Sequence, residues 1–128
     1  MLANRKPGSL NRLTRNSKIF KTIIHAIQQK KGERIVSLDL HKIPEAVTDF
    51  FVICHASNTT QVKAITDHIE DMVRKECDES PFRHEGQSGS QWALVDYVNV
   101  VVHVMHEEAR KFYRLEEMWS DAGITEHN

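Results

Sequence analysis

The stretch QWALVDYVNVVVHVMHEE, Gln91 to Glu108, gathers one Trp, one Asp, two His and two Glu around an apolar run. Those residue types could serve phosphoryl transfer, metal binding, or the gripping of another macromolecule. Phosphoryl transfer through metal ions needs two carboxylates on one face of a strand, two residues apart. Asp96 has Leu94 and Val98 in those places, and Asp39 has Ser37 and His41. Neither a Walker-type lysine loop nor GxGxxG occurs in the chain. Gly89-Ser90 precedes a strand as in a nucleotidyl-transferring site, but it has no acid pair to serve. His103, His106 and Glu107 have ligand-like spacing, yet His103 belongs to a strand and His106 to its junction with a helix, and HExxH is absent. His103 reads as a sheet histidine with a hydrogen-bond partner. Ser88 and Ser90 lack a nucleophile elbow, and Cys54 has no electropositive helix start beside it. The sequence therefore names no catalytic residue, no metal ligand and no cofactor.

What remains is a binding surface. Side chains alternate along a strand, so Trp92, Leu94 and Asp96 share one face while Ala93 and Val95 take the other. An aromatic, an aliphatic and an acid in line suit the centre of an interface. Trp92 as plain core beneath a helix is the competing reading.

The elements that position this row follow from periodicity. Ser17 can cap a helix in which Ile19, Phe20, Ile23, Ile24 and Ile27 recur on one face, closed by Lys30, Lys31 and Gly32. RIVSLDL (34–40) is β-rich, and DFFVICHA (49–56) is apolar nearly throughout, as a central strand is. Asn58 with Gln61 resembles a capping box for a helix ending near Glu76, with Val62, Ile65, Ile69, Met72 and Val73 as its apolar stripe. A short strand is expected over 82–86. Strands 91–97 and 99–105 are too close for a crossover helix and must form an antiparallel hairpin. A last helix is expected from His106 to Trp119, with Glu107 and Glu108 in its first turn and Arg110, Lys111 and Arg114 further on, matching the dipole. Phe112, Leu115 and Trp119 would be its buried stripe. This order predicts an α/β fold: a mixed sheet with flanking helices in a single domain.

Charge divides the chain. Residues 1–34 carry nine Lys/Arg against Glu33 alone, net +8, and the other 94 residues hold 17 acids and eight bases, net −9. An acidic body repels nucleic-acid phosphates and favours a basic protein as partner. Residues 1–16 read as a flexible basic tail. The alternatives are an organelle-targeting leader, or a segment making a minor RNA contact when the body sits on a ribonucleoprotein. Residues 123–128 read as a C-terminal tail. Two distant cysteines suit a reducing compartment, with Cys54 as small core. No apolar run approaches the roughly 20 residues of a membrane helix, and the start shows no secretory pattern.

VTDFFVICHASNTTQVKAITDHIED and EGQSGSQWALVDYVNVVVHVMHEEARKFYRLEEMW, with their spacing, closely resemble the ribosomal silencing factor family, also called Iojap, over about Ser17 to Ala122. The telling parts are Thr48-Asp49 before an apolar strand, the step from Glu85-Gly86 to Trp92, and Val102-His103 followed by Glu107-Glu108 and Phe112-Tyr113. The resemblance implies a nucleotidyltransferase-like fold without transferase activity. It also implies binding to large-subunit ribosomal protein fourteen, a block to subunit joining and lowered translation. A role in organelle large-subunit assembly is the alternative. It places Trp92, Leu94 and Asp96 near the partner, with His106, Glu107 and Glu108 at the helix start beside them. The bacterial cytoplasm is the implied location, a mitochondrion or plastid the alternative, and a second copy of the chain is admitted as a partner. One departure stands out: Val98-Asn99 occupies the hairpin turn where the family often has Gly-Asp.

Overall fold

The computed structural model describes residues 13–86 and 89–128, so most of the expected basic tail lies outside the described residues, as does Ser88. The elements run α1 (Lys18–Gln29), β1 (Glu33–Asp39), β2 (Phe50–Ala56), α2 (Thr59–Cys77), β3 (Arg83–Glu85), β4 (Trp92–Asp96), β5 (Val100–His106), α3 (Glu107–Tyr113), α4 (Leu115–Met118) and β6 (Gly123–Glu126). They form one six-stranded sheet in the order β3-β4-β5-β2-β1-β6. β2 and β5 are parallel and joined through α2, while every other pairing is antiparallel. The mixed sheet and the hairpin are as the sequence predicts. β2 and β5 are buried on both faces, which is why their sequences are nearly continuous apolar runs.

Each face of the sheet has its own core. On one, α1 buries Ile19, Phe20, Ile23, Ile24 and Ile27 and α2 buries Val62, Ile65, Ile69 and Val73, against Phe50, Val52, Val95, Val102 and Val104. A fully buried isoleucine such as Ile23 contributes about 1.5–3 kcal/mol through removal of apolar area from water. On the other face Val36, Leu38, Leu40, Ile53 and Met105 pack with Ala109, Leu115 and Ala122, and with the half-buried Phe51, Trp92 and Trp119.

Several ends differ from the sequence expectations. Ser17 precedes α1, but its hydroxyl accepts the Thr14 amide at 3.0 Å instead of capping the helix. Asn58 does cap α2, accepting the Gln61 amide at 2.8 Å, while the Gln61 side chain turns to the Lys30 carbonyl. At the end of α1 the left-handed residue is Lys31, φ 60°, and Gly32 is required for a different reason: a Cβ there would lie 2.4 Å from Ile27 Cγ2. The expected last helix is broken in two at Arg114, φ 48°. Residues 123–128 are no free tail. β6 pairs with β1, the Ser37 hydroxyl lies 2.7 Å from His127 Nε2, and Gln28 donates to the His127 carbonyl at 2.7 Å.

The β4–β5 turn is closed by the Asn99 amide donating to the Tyr97 carbonyl, with Val98 between them at φ 75°. A β-branched residue at positive φ is strained by about 1–3 kcal/mol. Glycine would relieve that strain but lose more chain entropy on folding, about 0.5–1 kcal/mol. Val98→Gly is therefore expected to stabilise the chain by about 1 kcal/mol in chemical denaturation. A destabilised variant would mean that the Val98 side chain outweighs the strain of its backbone.

Candidate partner-binding site

Trp92, at the start of β4, is half-buried on the sheet face that carries α3 and α4. Its indole Nε1–H donates to His103 Nδ1 at 3.0 Å. His103 lies beside Leu94 in the neighbouring strand. Since Nδ1 accepts, the ring's proton sits on Nε2, which is buried and has no hydrogen-bond partner. Burial drives the His103 pKa down to about 4, so the ring is neutral at neutral pH. The ring is thus a sheet histidine with a hydrogen-bond partner, as its sequence position suggests.

Around this pair runs a line of rings. Trp119 meets Phe51 at 5.6 Å between centroids, and Phe51 meets His103 at 4.7 Å. His103 meets Trp92 at 5.9 Å, Trp92 meets Tyr113 at 4.9 Å, and Tyr113 meets Phe112 at 4.9 Å. The line begins in the second core and ends in solvent: His103 is 5% exposed, Tyr113 50% and Phe112 77%. Trp92 is therefore both core and surface, the middle member of a supported stack. The sequence places Phe112 in a buried stripe, but α3 lasts only from Glu107 to Tyr113. After about two turns the apolar stripe passes to Leu115 in α4, and Phe112 is left facing outward.

The other expected site residues separate. Leu94 is half-buried on the Trp92 side of β4. Asp96 is 0% exposed and does not face outward. Its carboxylate accepts the Val98 amide at 2.8 Å and the Arg83 Nε–H at 3.3 Å, so it orders the turn and ties β3 to β4. His106 caps α3, its Nδ1 accepting the Glu108 amide at 3.1 Å. Glu108 is exposed, 3.6 Å from Lys111. Glu107 turns instead into a cleft of about 380 Å³ shared with Arg34, His55 and Arg110.

Arg110, expected among the bases that complement the dipole of the last helix, is buried there. Its guanidinium donates to Glu116 at 2.7 Å, to the Arg34 carbonyl at 2.8 Å and to His55 Nδ1 at 3.0 Å. Guanidinium has no acceptor, so His55 Nδ1 accepts, and burial together with the Arg110 charge lowers the His55 pKa. Among the described residues no group of three His, Cys, Asp or Glu side chains could hold a metal. Burial pushes the Cys54 thiol up to about 12, so it carries no thiolate at neutral pH. No helix of the described residues is long and apolar enough to cross a membrane.

The His103 environment has a consequence for pH. In the unfolded chain the ring titrates near 6.5 and in the folded chain near 4. Above 6.5 neither state binds the proton; between 6.5 and 4 only the unfolded state does, so stability falls as pH drops through that window. His103→Phe removes this contribution. Between pH 7 and pH 4.5 the parent chain is expected to lose roughly 2 kcal/mol more unfolding free energy than the variant. Equal losses would show that burial does not depress this ring.

Compared with known proteins, residues 14–128 match the family described as "Ribosomal silencing factor during starvation". A ribosomal silencing factor of Halalkalibacterium halodurans is 35% identical over 111 residues, 87% of this chain and 93% of that one. A mouse protein named for mitochondrial assembly of the ribosomal large subunit is 32% identical over 75 residues, 57% of this chain and 33% of its own. A crystal structure of a Chromobacterium violaceum protein superposes with a TM-score of 0.75 at 31% identity, covering 80% of this chain and 84% of the other.

Proposed function

Because the chain belongs to the ribosomal silencing factor family, we propose that it docks on the large ribosomal subunit through the ring-lined face of β4 and α3 and thereby blocks association with the small subunit, repressing translation. The partner on that subunit is a basic protein, large-subunit protein fourteen. The observation that carries this reading is the exposed end of the ring stack. Phe112 and Tyr113 project into solvent while Trp92 and His103 hold them from below. Rigid aromatic area bound to a folded base is what interface anchors are made of, because little side-chain freedom is lost on binding. Leu94 extends the apolar area, and the exposed Glu108 of α3 supplies negative charge toward a basic partner. Asp96 has no part in that contact.

The reading is of a binding factor, not an enzyme, acting in the bacterial cytoplasm. The mouse relative's name supports a second role, large-subunit assembly in a mitochondrion, which would use the same face; a plastid is the other organelle in which the same role would apply. A second copy of the chain would compete for the same rings, so self-association should fall when the partner is added. Residues 1–12 add three bases and no acid, enough for a minor contact with ribosomal RNA.

Two measurements test this. Phe112→Ala removes an exposed ring and should change stability by no more than about 0.5 kcal/mol. It should nevertheless weaken co-sedimentation with isolated large subunits about tenfold or more, on the order of 1.4 kcal/mol. Unchanged co-sedimentation would move the interface off this face. In a gradient of mixed subunits, the parent chain added first should diminish the joined-ribosome peak. An undiminished peak at saturating protein would leave assembly, not silencing, as the function.

A further inference from the structure

The first helix carries a second surface, on the side of the sheet opposite the rings. Its apolar face is consumed by the core, and the residues left outside are Lys18, Lys21, His25, Gln28 and Gln29, the first four in one continuous stripe at helical spacing. α1 contains no acid at all. Among the described residues, Lys18, Lys21, Lys30 and Lys31 form no ion pair, whereas Lys63, Lys75 and Lys111 each do. Lys18 and Lys21 also stand in the first turn, where the positive end of the helix dipole disfavours cations. These charges are thus placed against local stability, which points to selection for something other than folding.

The stripe has relief. Lys21 and His25 form the shared wall between two clefts. One, of about 550 Å³, adds Asn16, Lys18 and Thr22; the other, of about 200 Å³, adds Arg15 and Gln28. Of the two clefts only the larger includes a carboxylate in its lining, Glu76.

We infer that this ridge is an RNA-backbone contact, distinct from the ring-lined face and independent of it. From Lys18 to His25 the helix rises about 10.5 Å. The ridge is therefore long enough to follow a few successive phosphates of one strand, with the clefts receiving the backbone on either side. Charge complementarity selects a polyanion. A membrane surface is disfavoured because the exposed side of α1 offers no apolar side chain to insert. The acidic remainder of the chain confines the contact to this ridge, so RNA binding is oriented and leaves the opposite face open to a protein.

The test uses the full chain and a fluorescent RNA hairpin with an A-form stem, titrated by anisotropy from 50 mM to 200 mM salt. The double variant Lys18→Gln with Lys21→Gln should bind at least fivefold more weakly at 50 mM. The slope of log K against log salt should flatten by about 1.8, near 0.9 for each phosphate that the variant no longer neutralises. Lys18→Arg with Lys21→Arg should restore both. Melting temperature should hold or rise, since two cations leave the positive helix end. Lys63→Gln should bind as the parent does, and Phe112→Ala should lose large-subunit protein binding while keeping the RNA slope, so the two surfaces fail separately. The inference is overturned if the parent shows no RNA binding at 50 mM, if the double variant matches the parent, or if phosphatidylserine-containing vesicles bind the parent as tightly as the hairpin does.

Discussion

One buried carboxylate joins the parts of this fold that are far apart in sequence. Asp49 is 1% exposed at the head of β2. Its Oδ2 accepts the Leu13 amide and the Asn99 side-chain amide, each at 2.9 Å, while its Oδ1 accepts no hydrogen bond and has only the electrostatic company of His41 Nε2 at 3.5 Å. Its backbone donates to the Asn99 carbonyl and accepts the Leu40 amide. A carboxylate taken out of water is costly unless its donors are all in place. The segment before α1, the β1–β2 loop and the β4–β5 turn must therefore assemble together around it. His41 extends the cluster to Asp39 at 2.6 Å. Burial alone would raise the Asp39 pKa, but the His41 contacts outweigh it and hold that carboxyl below the usual range.

This cluster explains what the turn residues do for the ring-lined face. Asn99 anchors the start of β5 beside β2, which fixes the parallel register that sets Ile53 opposite His103. His103 then supports Trp92, and Trp92 supports Tyr113 and Phe112. An Asp at position 99 would bring a second carboxylate against Asp49, whereas Asn is a neutral donor there. The Val98-Asn99 departure thus has two halves of opposite effect: Val98 strains the turn, and Asn99 satisfies the buried acid beneath it.

Much of the architecture is legible in the sequence because periodicity reports burial directly. The α1 stripe, the two-sided burial of β2 and β5 and the hairpin all follow from which positions are apolar. The site is legible only in part. Alternation places Trp92 and Leu94 on one face. Whether Asp96 faces out depends on Arg83 in another strand and on the turn it closes, which no local pattern encodes. Phe112 is misplaced by a helical stripe continued across Arg114, where a non-glycine residue takes the left-handed conformation. Arg110 looks like a surface cation in the sequence, and only the meeting of Glu116, His55 and the β1 backbone buries it. An apolar C-terminal extension would announce itself as structure; GITEHN is short and polar, and its role rests on backbone pairing.

That last segment shapes how the chain can be handled during synthesis. β1 is flanked by β2 on one side and by β6 on the other, and β6 follows every other strand in chain order. Until β6 has been made and has paired, β1 presents unpaired backbone donors and acceptors along an apolar strand, a template for strand addition by any neighbouring chain. β6 covers that template with four residues and pins the cover through His127. Loss of β6 would leave the ring-lined face chemically intact while making the more apolar β1, in place of the short and mostly exposed β6, the edge strand of the sheet.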